Sequence, residues 1–381
     1  IRDDLVTGVQ TCALPISGAV TCHWPRASAS ISDSDRGGHS VYGLLRAALF
    51  TTAPEAAHEL ALESLRLAHS MGATELTCKP VHDPAEVMGL SFTNRVGLAA
   101  GMDKNGDYID ALGALGFGFI EIGTVTPRPQ PGNPKPRVFR LPRAEAMINR
   151  LGFNNKGVDH LVKRAAARRF KGILGINIGK NFDTPNDQAV GDYLKCFDKV
   201  HDHADYITVN ISSPNTVGLR ELQAEDALEK LLGALAERRE QRSGGGTKAV
   251  PMAVKVAPDL DAEGIAALAG VVSRVGMNAV IATNTTIERP GLEGQAHAEE
   301  AGGLSGAPLR AMADDVLGQL RSALPDQVAL LGVGGIMSGA DAQRKIELGA
   351  DLVQFYTGFV YHGPQLINDC ARSIATARQA K

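Results

Sequence analysis

No two of the five cysteines form a CxxC or any other paired spacing; they stand at Cys12, Cys22, Cys78, Cys196 and Cys370. This argues against a disulfide framework and a zinc site, so no metal is expected, and a reducing compartment is the natural reading. Long apolar runs are also missing. None reaches the roughly 18 residues that span a bilayer, and the first residues lack the continuous apolar core of a secretory signal. Charge of one sign is missing too. The formal net charge is −3, which leaves no footprint for nucleic acid, so no such partner is expected. Aromatic residues are scarce at 5%, while glycine is abundant at 42 of 381 residues. That balance fits many tight strand-to-helix turns better than a sandwich or a disordered chain. A GxGxxG turn after an early strand is absent, which makes a doubly wound sheet the runner-up only.

Taken in order, residues 1–40 read unlike the rest. Residues 17–40 are rich in Ser, Gly, Asp and Arg without periodicity and are expected to be disordered. Residues 6–16 resemble the translation of a sequencing-adapter oligonucleotide, so this leader is expected to be partly non-native, with a true start near Ser40. Residues 41–50 form a nearly uncharged helical pattern, and Pro54 suits the first turn of a second helix. There Ala57, Leu60, Ala61, Leu65 and Ala68 recur at helical spacing on one face. This 41–78 preface either caps a barrel bottom or core, or lies on a membrane and admits an apolar ligand. The sequence by itself favours the cap.

From residue 79 the pattern alternates. Apolar runs at 96–101, 117–124, 172–179, 206–212, 251–258, 279–285, 329–336 and 352–358 have strand length. Helical runs lie between them at 106–115, 156–169, 225–242, 264–275, 308–324 and 339–348, with another at 364–378. Eight such units predict an α/β fold, the (β/α)8 TIM barrel, behind a short two-helix extension. The run 175–181 is a near miss for a phosphate loop: its spacing is short and Asn181 stands where Ser or Thr is needed.

Active sites of such barrels sit at the carboxyl ends of the strands. Those ends carry Lys104, Thr124, Asn177, Asn210, Lys255, Thr283–Asn284–Thr285, Gly332–Gly335 and Tyr356–Gly358. Any one of them is an ordinary satisfied strand end. A series of amides, hydroxyls and glycines broken only by two lysines is harder to explain that way. The 210–216 stretch, Asn-Ile-Ser-Ser-Pro-Asn-Thr, alone reads as a turn. In company it becomes one wall of a polar pocket. Glycines after the last two strands suit a phosphate held on backbone N–H groups. Lys255, buried in a strand, calls for an electron-rich partner. Together these point to a phosphate-bearing cofactor, flavin mononucleotide (FMN), and stop short of the substrate. The Pro-rich insertion at 124–155 reads as a lid or wall over the mouth. Arg140 and Arg150 in it stand open between anion binding and solvation, and Phe153 between gating and packing.

The motifs at 99–104, 120–136, 149–155, 175–180, 210–220, 255–259, 282–286, 302–306, 332–336 and 356–358 resemble the class 2, quinone-linked dihydroorotate dehydrogenases. The resemblance runs from about Tyr42 to the C-terminus and includes the preface. Class 1 enzymes lack that preface and generally use a cysteine as base. What the resemblance implies is oxidation of dihydroorotate to orotate in pyrimidine biosynthesis. Ser213 is then the base, with Thr216 and Phe153 passing the proton outward. Lys104, Asn149, Arg150, Leu151, Gly152, Phe153, Asn210, Asn215, Asn284 and Thr285 hold substrate. Ala100, Gly101, Met102, Asp103, Lys104, Thr124, Asn177, Asn210, Lys255, Thr283, Gly306, Gly335, Tyr356 and Thr357 hold one FMN. His58 and Arg140 face the quinone head group, which turns the preface reading from cap to membrane-facing quinone entry. A monomer, peripheral on the cytoplasmic face of a bacterial cytoplasmic membrane, is the expected state. The rivals are a class 1-like enzyme using fumarate or NAD, a flavin barrel acting on another ring, and a non-catalytic phosphate-ligand barrel.

Overall fold

The computed structural model describes residues 36–74, 80–244 and 249–379. Residues 1–35 of the expected leader, with Cys12, Cys22 and Cys78, lie outside these. Each apolar run from the sequence yields one parallel strand, and the strands close into a barrel in chain order. They are Val96–Leu98, Phe119–Val125, Ile173–Ile178, Tyr206–Asn210, Met252–Val256, Ala279–Ala282, Ala329–Val333 and Leu352–Phe355. Helices cover the outside, and their buried leucines and valines pack on the outward faces of the strands. The inward faces form a separate apolar core around Phe119, Ala253, Ile281, Leu331 and Leu352. Cys196 and Cys370 are free and buried in the helix layer.

Three features depart from the sequence reading. The helix Ala189–Val200, between the third and fourth strands, was not anticipated. An antiparallel hairpin, Ala85–Val87 with Leu90–Phe92, precedes the first strand. Its Phe92 meets Phe119 of the barrel interior edge-on at 5.2 Å, so the hairpin joins the inner core from below. The third departure is the insertion. Val138–Leu141 pairs with Ala146–Asn149, which pairs in turn with Gly303–Gly306 from after the sixth strand. This three-stranded sheet stands over the barrel mouth and makes the expected wall.

The preface is two helices, Arg36–Phe50 and Pro54–Ser70. The first begins inside the expected leader. Neither caps the barrel bottom; both pack at the mouth end. Tyr42 donates to the Val360 carbonyl at 2.9 Å and Arg46 to that of Tyr361 at 2.8 Å. Glu55 of the second helix pairs with Arg137 at 2.9 Å, and Glu63 accepts from the Tyr108 hydroxyl at 2.7 Å. The buried face of the second helix is carried by Ala57 and Leu62, whereas Leu60, expected on that face, is exposed.

Candidate active site

A cavity of about 1080 Å³, counting the open space at its entrance, occupies the barrel mouth. Its floor is polar because inward positions near the strand ends carry amides and hydroxyls. Asn210 Nδ2 donates to Thr124 Oγ1 at 2.9 Å, Thr124 donates to Asn177 Oδ1 at 2.5 Å, and Asn177 donates to Glu121 Oε1 at 2.8 Å. Glu121, fully buried, also accepts from the Tyr206 hydroxyl and from Gln354. This carboxylate was missed by the sequence reading; its signal was an acid inside an otherwise apolar strand. Lys255, in register with Asn210 on the neighbouring strand, lines the cavity. Burial lowers its pKa, against the pull of Glu121. Its Nζ has no hydrogen-bond partner among the described residues.

The fourth strand ends at Asn210, so residues 211–216 turn over the mouth. Ser212 stays inside, where its Oγ accepts from Asn284 Nδ2 at 3.0 Å. Ser213 has passed the strand end and lines the cavity, its Oγ accepting from the Asn215 N–H at 3.3 Å. Asn215 Nδ2 reaches Asn149 Oδ1 at 3.1 Å, which joins the 211–216 loop to the insertion sheet. Asn149, Asn210, Ser213, Asn215, Asn284 and Thr285 therefore form one continuous wall of side-chain donors and acceptors.

The opposite wall is backbone. Gly306, Gly334 and Gly335 line it with φ of 98°, 109° and 75°, beside Ser305, Tyr356, Thr357 and Gly358. A Cβ on Gly335 would lie 2.3 Å from the Arg310 Cα, and one on Gly306 2.2 Å from the Glu145 carbonyl oxygen. A side chain is thus excluded at both positions, and the wall there is bare backbone. Thr357 donates to the Ser305 hydroxyl at 2.8 Å, tying the two sides of this wall. Ser305, Val138 and Met147 escaped the sequence reading because the insertion sheet brings them to the cavity.

Of the other residues singled out, Ala100, Gly101, Lys104, Leu151, Gly152, Phe153 and Thr283 also line the cavity. Lys104 donates to the Gly101 carbonyl at 2.9 Å. Burial, then the Arg137 guanidinium, lowers its pKa to about 8. Met102 and Asp103 lie behind the wall; Asp103 accepts from the N–H groups of Asn105, Asp107 and Tyr108 and shapes the loop. Asn177 lies beneath the floor. Arg150 faces away, paired with Glu300 at 2.7 Å and stacked on Phe139 at 4.6 Å. Thr216 is buried beside the loop with an unpartnered hydroxyl. His58 and Arg140 lie outside the cavity, at the preface. Burial and the Lys104 ammonium lower the His58 pKa to about 4, while Arg140 covers the Phe50 ring at 4.5 Å and donates to the Leu49 and Thr52 carbonyls. The 175–181 run is no phosphate loop: Lys180 is buried and turns to the Thr184 carbonyl. The described residues hold no cluster of metal-ligating side chains.

The comparisons with known proteins agree with this arrangement. The family model for dihydroorotate dehydrogenase matches residues 84–377. A protein of Azotobacter vinelandii, dihydroorotate dehydrogenase (quinone), is 56% identical over 339 residues, covering 89% of this chain and 98% of that one. A protein of the same description from Ectopseudomonas mendocina is 54% identical, covering 89% of this chain and all of that one. Among solved structures, DHODH of Eimeria tenella in complex with ferulenol superposes with a TM-score of 0.77 at 36% identity, covering 86% of this chain and 92% of that one. The barrel, its polar and glycine walls and these relatives together establish that the chain belongs to the dihydroorotate dehydrogenase family, in its quinone-linked class.

Proposed function

We propose that the barrel mouth oxidises dihydroorotate to orotate, the redox step of pyrimidine biosynthesis, with Ser213 as base, one FMN against the glycine wall and a membrane quinone as final acceptor. One observation carries the reading: the unpartnered Lys255 ammonium opens onto the cavity that the glycine wall and Ser213 share. The family is flavin-dependent, and the residues present fit that group. Gly306, Gly334 and Gly335 leave room and N–H donors for a phosphate, with Thr357 beside them. Lys255 offers a positive charge to an electron-rich ring above the floor. Ala100, Gly101, Lys104, Thr124, Asn210, Thr283 and Tyr356 complete the cofactor side, with Met102, Asp103 and Asn177 supporting it from behind. Bound FMN supplies an acceptor for two electrons from the substrate and a donor of them to the quinone.

The chain's own work is binding and proton transfer. Asn149, Asn215, Asn284 and Thr285 present amides and a hydroxyl that suit the ring amides of dihydroorotate, and Leu151 and Gly152 close the side. Lys104 supplies a cation for its carboxylate. Ser213 accepts the proton from C5, the ring carbon beside a carbonyl. A serine hydroxyl is a weak base, so fixed position and an exit for the proton must compensate. The Asn215 N–H fixes Ser213 Oγ. The unpartnered Thr216 hydroxyl, with Phe153 at the cavity edge, offers the exit.

The preface is read as the quinone and membrane side, with His58 and Arg140 near the head group. Among the described residues no helix is long and apolar enough to cross a membrane. Leu44, Leu45, Leu60 and Leu67 on the two preface helices, and Met71 just past the second, are all more than half exposed. Such exposed apolar residues support peripheral association with a membrane, here read as the cytoplasmic one, and the monomer is kept as the proposed state. The test is direct: purified yellow protein is mixed anaerobically with dihydroorotate, and the flavin absorbance is followed. Bleaching, then recovery with quinone but not with fumarate or NAD, is expected. A flavin that stays oxidised overturns the reading.

A further inference from the structure

The loop that bears Ser213 is anchored at one point that neither the motif reading nor the cavity explains. Arg220 sits on the short 3-10 turn Leu219–Gln223, whose Leu219 and Leu222 are buried in the helix-layer core. Its guanidinium faces back toward the mouth and makes three contacts. Nε donates to the Ser212 carbonyl at 3.1 Å and Nη2 to the Thr285 carbonyl at 2.8 Å. Nη1 lies 2.9 Å from Asp259 Oδ2. Asp259 in turn accepts from the Thr286 hydroxyl at 2.5 Å and the Ile287 N–H at 3.3 Å. These partners follow the fourth, fifth and sixth strands, which are neighbours in the barrel.

The two carbonyls are not arbitrary. Ser212 immediately precedes the base, and Thr285 is itself in the wall that would face the ring amides. Both have left the strand ladder, so their carbonyls need donors from elsewhere. A planar guanidinium can serve both and still pair with a carboxylate, which an ammonium cannot do with the same geometry. Farther along the loop, Asn215 bonds to Asn133 and Asn149 and the Gly218 carbonyl accepts from Asn186, while the Val217 side chain between them is 94% exposed. These bonds hold the tip to the insertion and to the 186–188 turn; the Arg220 bonds hold the stem to the wall after the sixth strand.

We infer that Arg220 is a positioning residue: it locks the stem of the base loop to the Thr285 backbone and so sets the distance between Ser213 and the ring-binding wall. This rests on the reading of Ser213 as base. The Asp259 carboxylate orients the guanidinium, and the two act as a unit. A base displaced by an ångström loses about a hundredfold in rate, and the substrate wall moves with it.

The flavin-loaded full chain and its Arg220→Ala, Arg220→Lys and Asp259→Asn variants test this. Flavin reduction by dihydroorotate is timed by stopped flow, orotate affinity is read from the flavin absorbance shift, and FMN content and melting temperature are recorded beside them. Arg220→Ala is expected to slow reduction about a hundredfold and weaken orotate binding at near-parental FMN content. Added guanidinium at millimolar concentration should restore part of the rate. Arg220→Lys should retain the Asp259 pair but stay slow, and the Arg220→Ala, Asp259→Asn double variant should be no slower than Arg220→Ala alone. Parental reduction rates in Arg220→Lys overturn the inference. So does a loss in Arg220→Ala that tracks FMN content or melting temperature and does not respond to guanidinium. A parent whose flavin dihydroorotate cannot reduce overturns the substrate reading and this inference with it, whereas an active parent with unaffected variants removes the clamp alone.

Discussion

The two walls of the cavity solve recognition in opposite ways. The wall at Asn149, Asn210, Ser213, Asn215, Asn284 and Thr285 presents side chains to the cavity, and on the proposed function it reads its ligand with them. The wall at Gly306, Gly334 and Gly335 reads with the backbone, because no side chain fits there. Side chains carry chemistry as well as contact, so the first wall can hold a base. Backbone N–H groups cannot be titrated or replaced, so the second wall suits a group that stays bound and does not react. A substitution therefore fails differently on each side: loss of chemistry on one, loss of occupancy on the other.

The largest expected effect is on the side-chain wall. Ser213→Ala removes the proposed base and leaves the glycine wall untouched. Turnover with dihydroorotate should fall by about 10²–10⁴-fold, the usual contribution of a positioned base, while FMN content remains parental. Near-normal turnover would take Ser213 out of its role. The mirror experiment is Gly335→Ala. Its Cβ meets the Arg310 backbone and its φ of 75° disfavours any L side chain. Relieving about 1–3 kcal/mol of such strain moves the loop off its ligand. FMN affinity, measured by fluorescence titration of the apoprotein, should fall about ten- to a hundredfold. Reduction by dihydroorotate per bound flavin should stay close to parental. If Gly335→Ala keeps FMN but loses turnover, the division between the walls is wrong.

A third prediction sharpens the boundary between them, where Lys104 stands. Its pKa of about 8 means the ammonium is charged below that pH and neutral above it. Orotate is an anion throughout this range. Its Kd should therefore be flat from pH 6 to 7.5 and rise about tenfold by pH 9, as each unit above the pKa removes most of the remaining charge. Lys104→Arg, charged at every pH used, should abolish that rise. A rise that persists in Lys104→Arg assigns the titration to another group.

How legible each part was follows the range of the interactions that make it. The strands were readable because an apolar run bounded by Gly, Pro or Asn is a local signal. Their mouth ends were overrun, as at 206–212 against Tyr206–Asn210 and 279–285 against Ala279–Ala282. There the ladder gives way to side-chain bonds such as Asn284 to Ser212. The helix Ala189–Val200 was overlooked because it holds Gly191 and the buried Asp192, whose carboxylate caps the Asn181 N–H instead of facing solvent. The pairing of Gly303–Gly306 with Ala146–Asn149 had no local signal at all. It joins segments far apart in the chain, mainly through backbone bonds, which left Ser305, Val138 and Met147 out of the expected site. Arg220 was within sight of the motif, but two of its three partners are carbonyls, which leave no mark in a sequence, and the third, Asp259, lies far off in the chain.

The smallest expected effect lies outside both walls, on the preface. Leu60 and Leu67 are 56% and 60% exposed, so replacing both with serine removes little buried area. Stability should change by no more than about 0.5 kcal/mol per site, read from the urea midpoint. Flavin reduction by soluble dihydroorotate should be parental, because neither residue lines the cavity. Sedimentation with anionic phospholipid vesicles should weaken, and flavin reoxidation by quinone dissolved in those vesicles should slow in proportion. A soluble short-chain quinone should still reoxidise the flavin at the parental rate. If vesicle binding is unchanged, the exposed leucines are not the membrane contact. If both quinones slow together, the preface shapes the quinone passage itself, and its two helices belong to the site as much as the walls do.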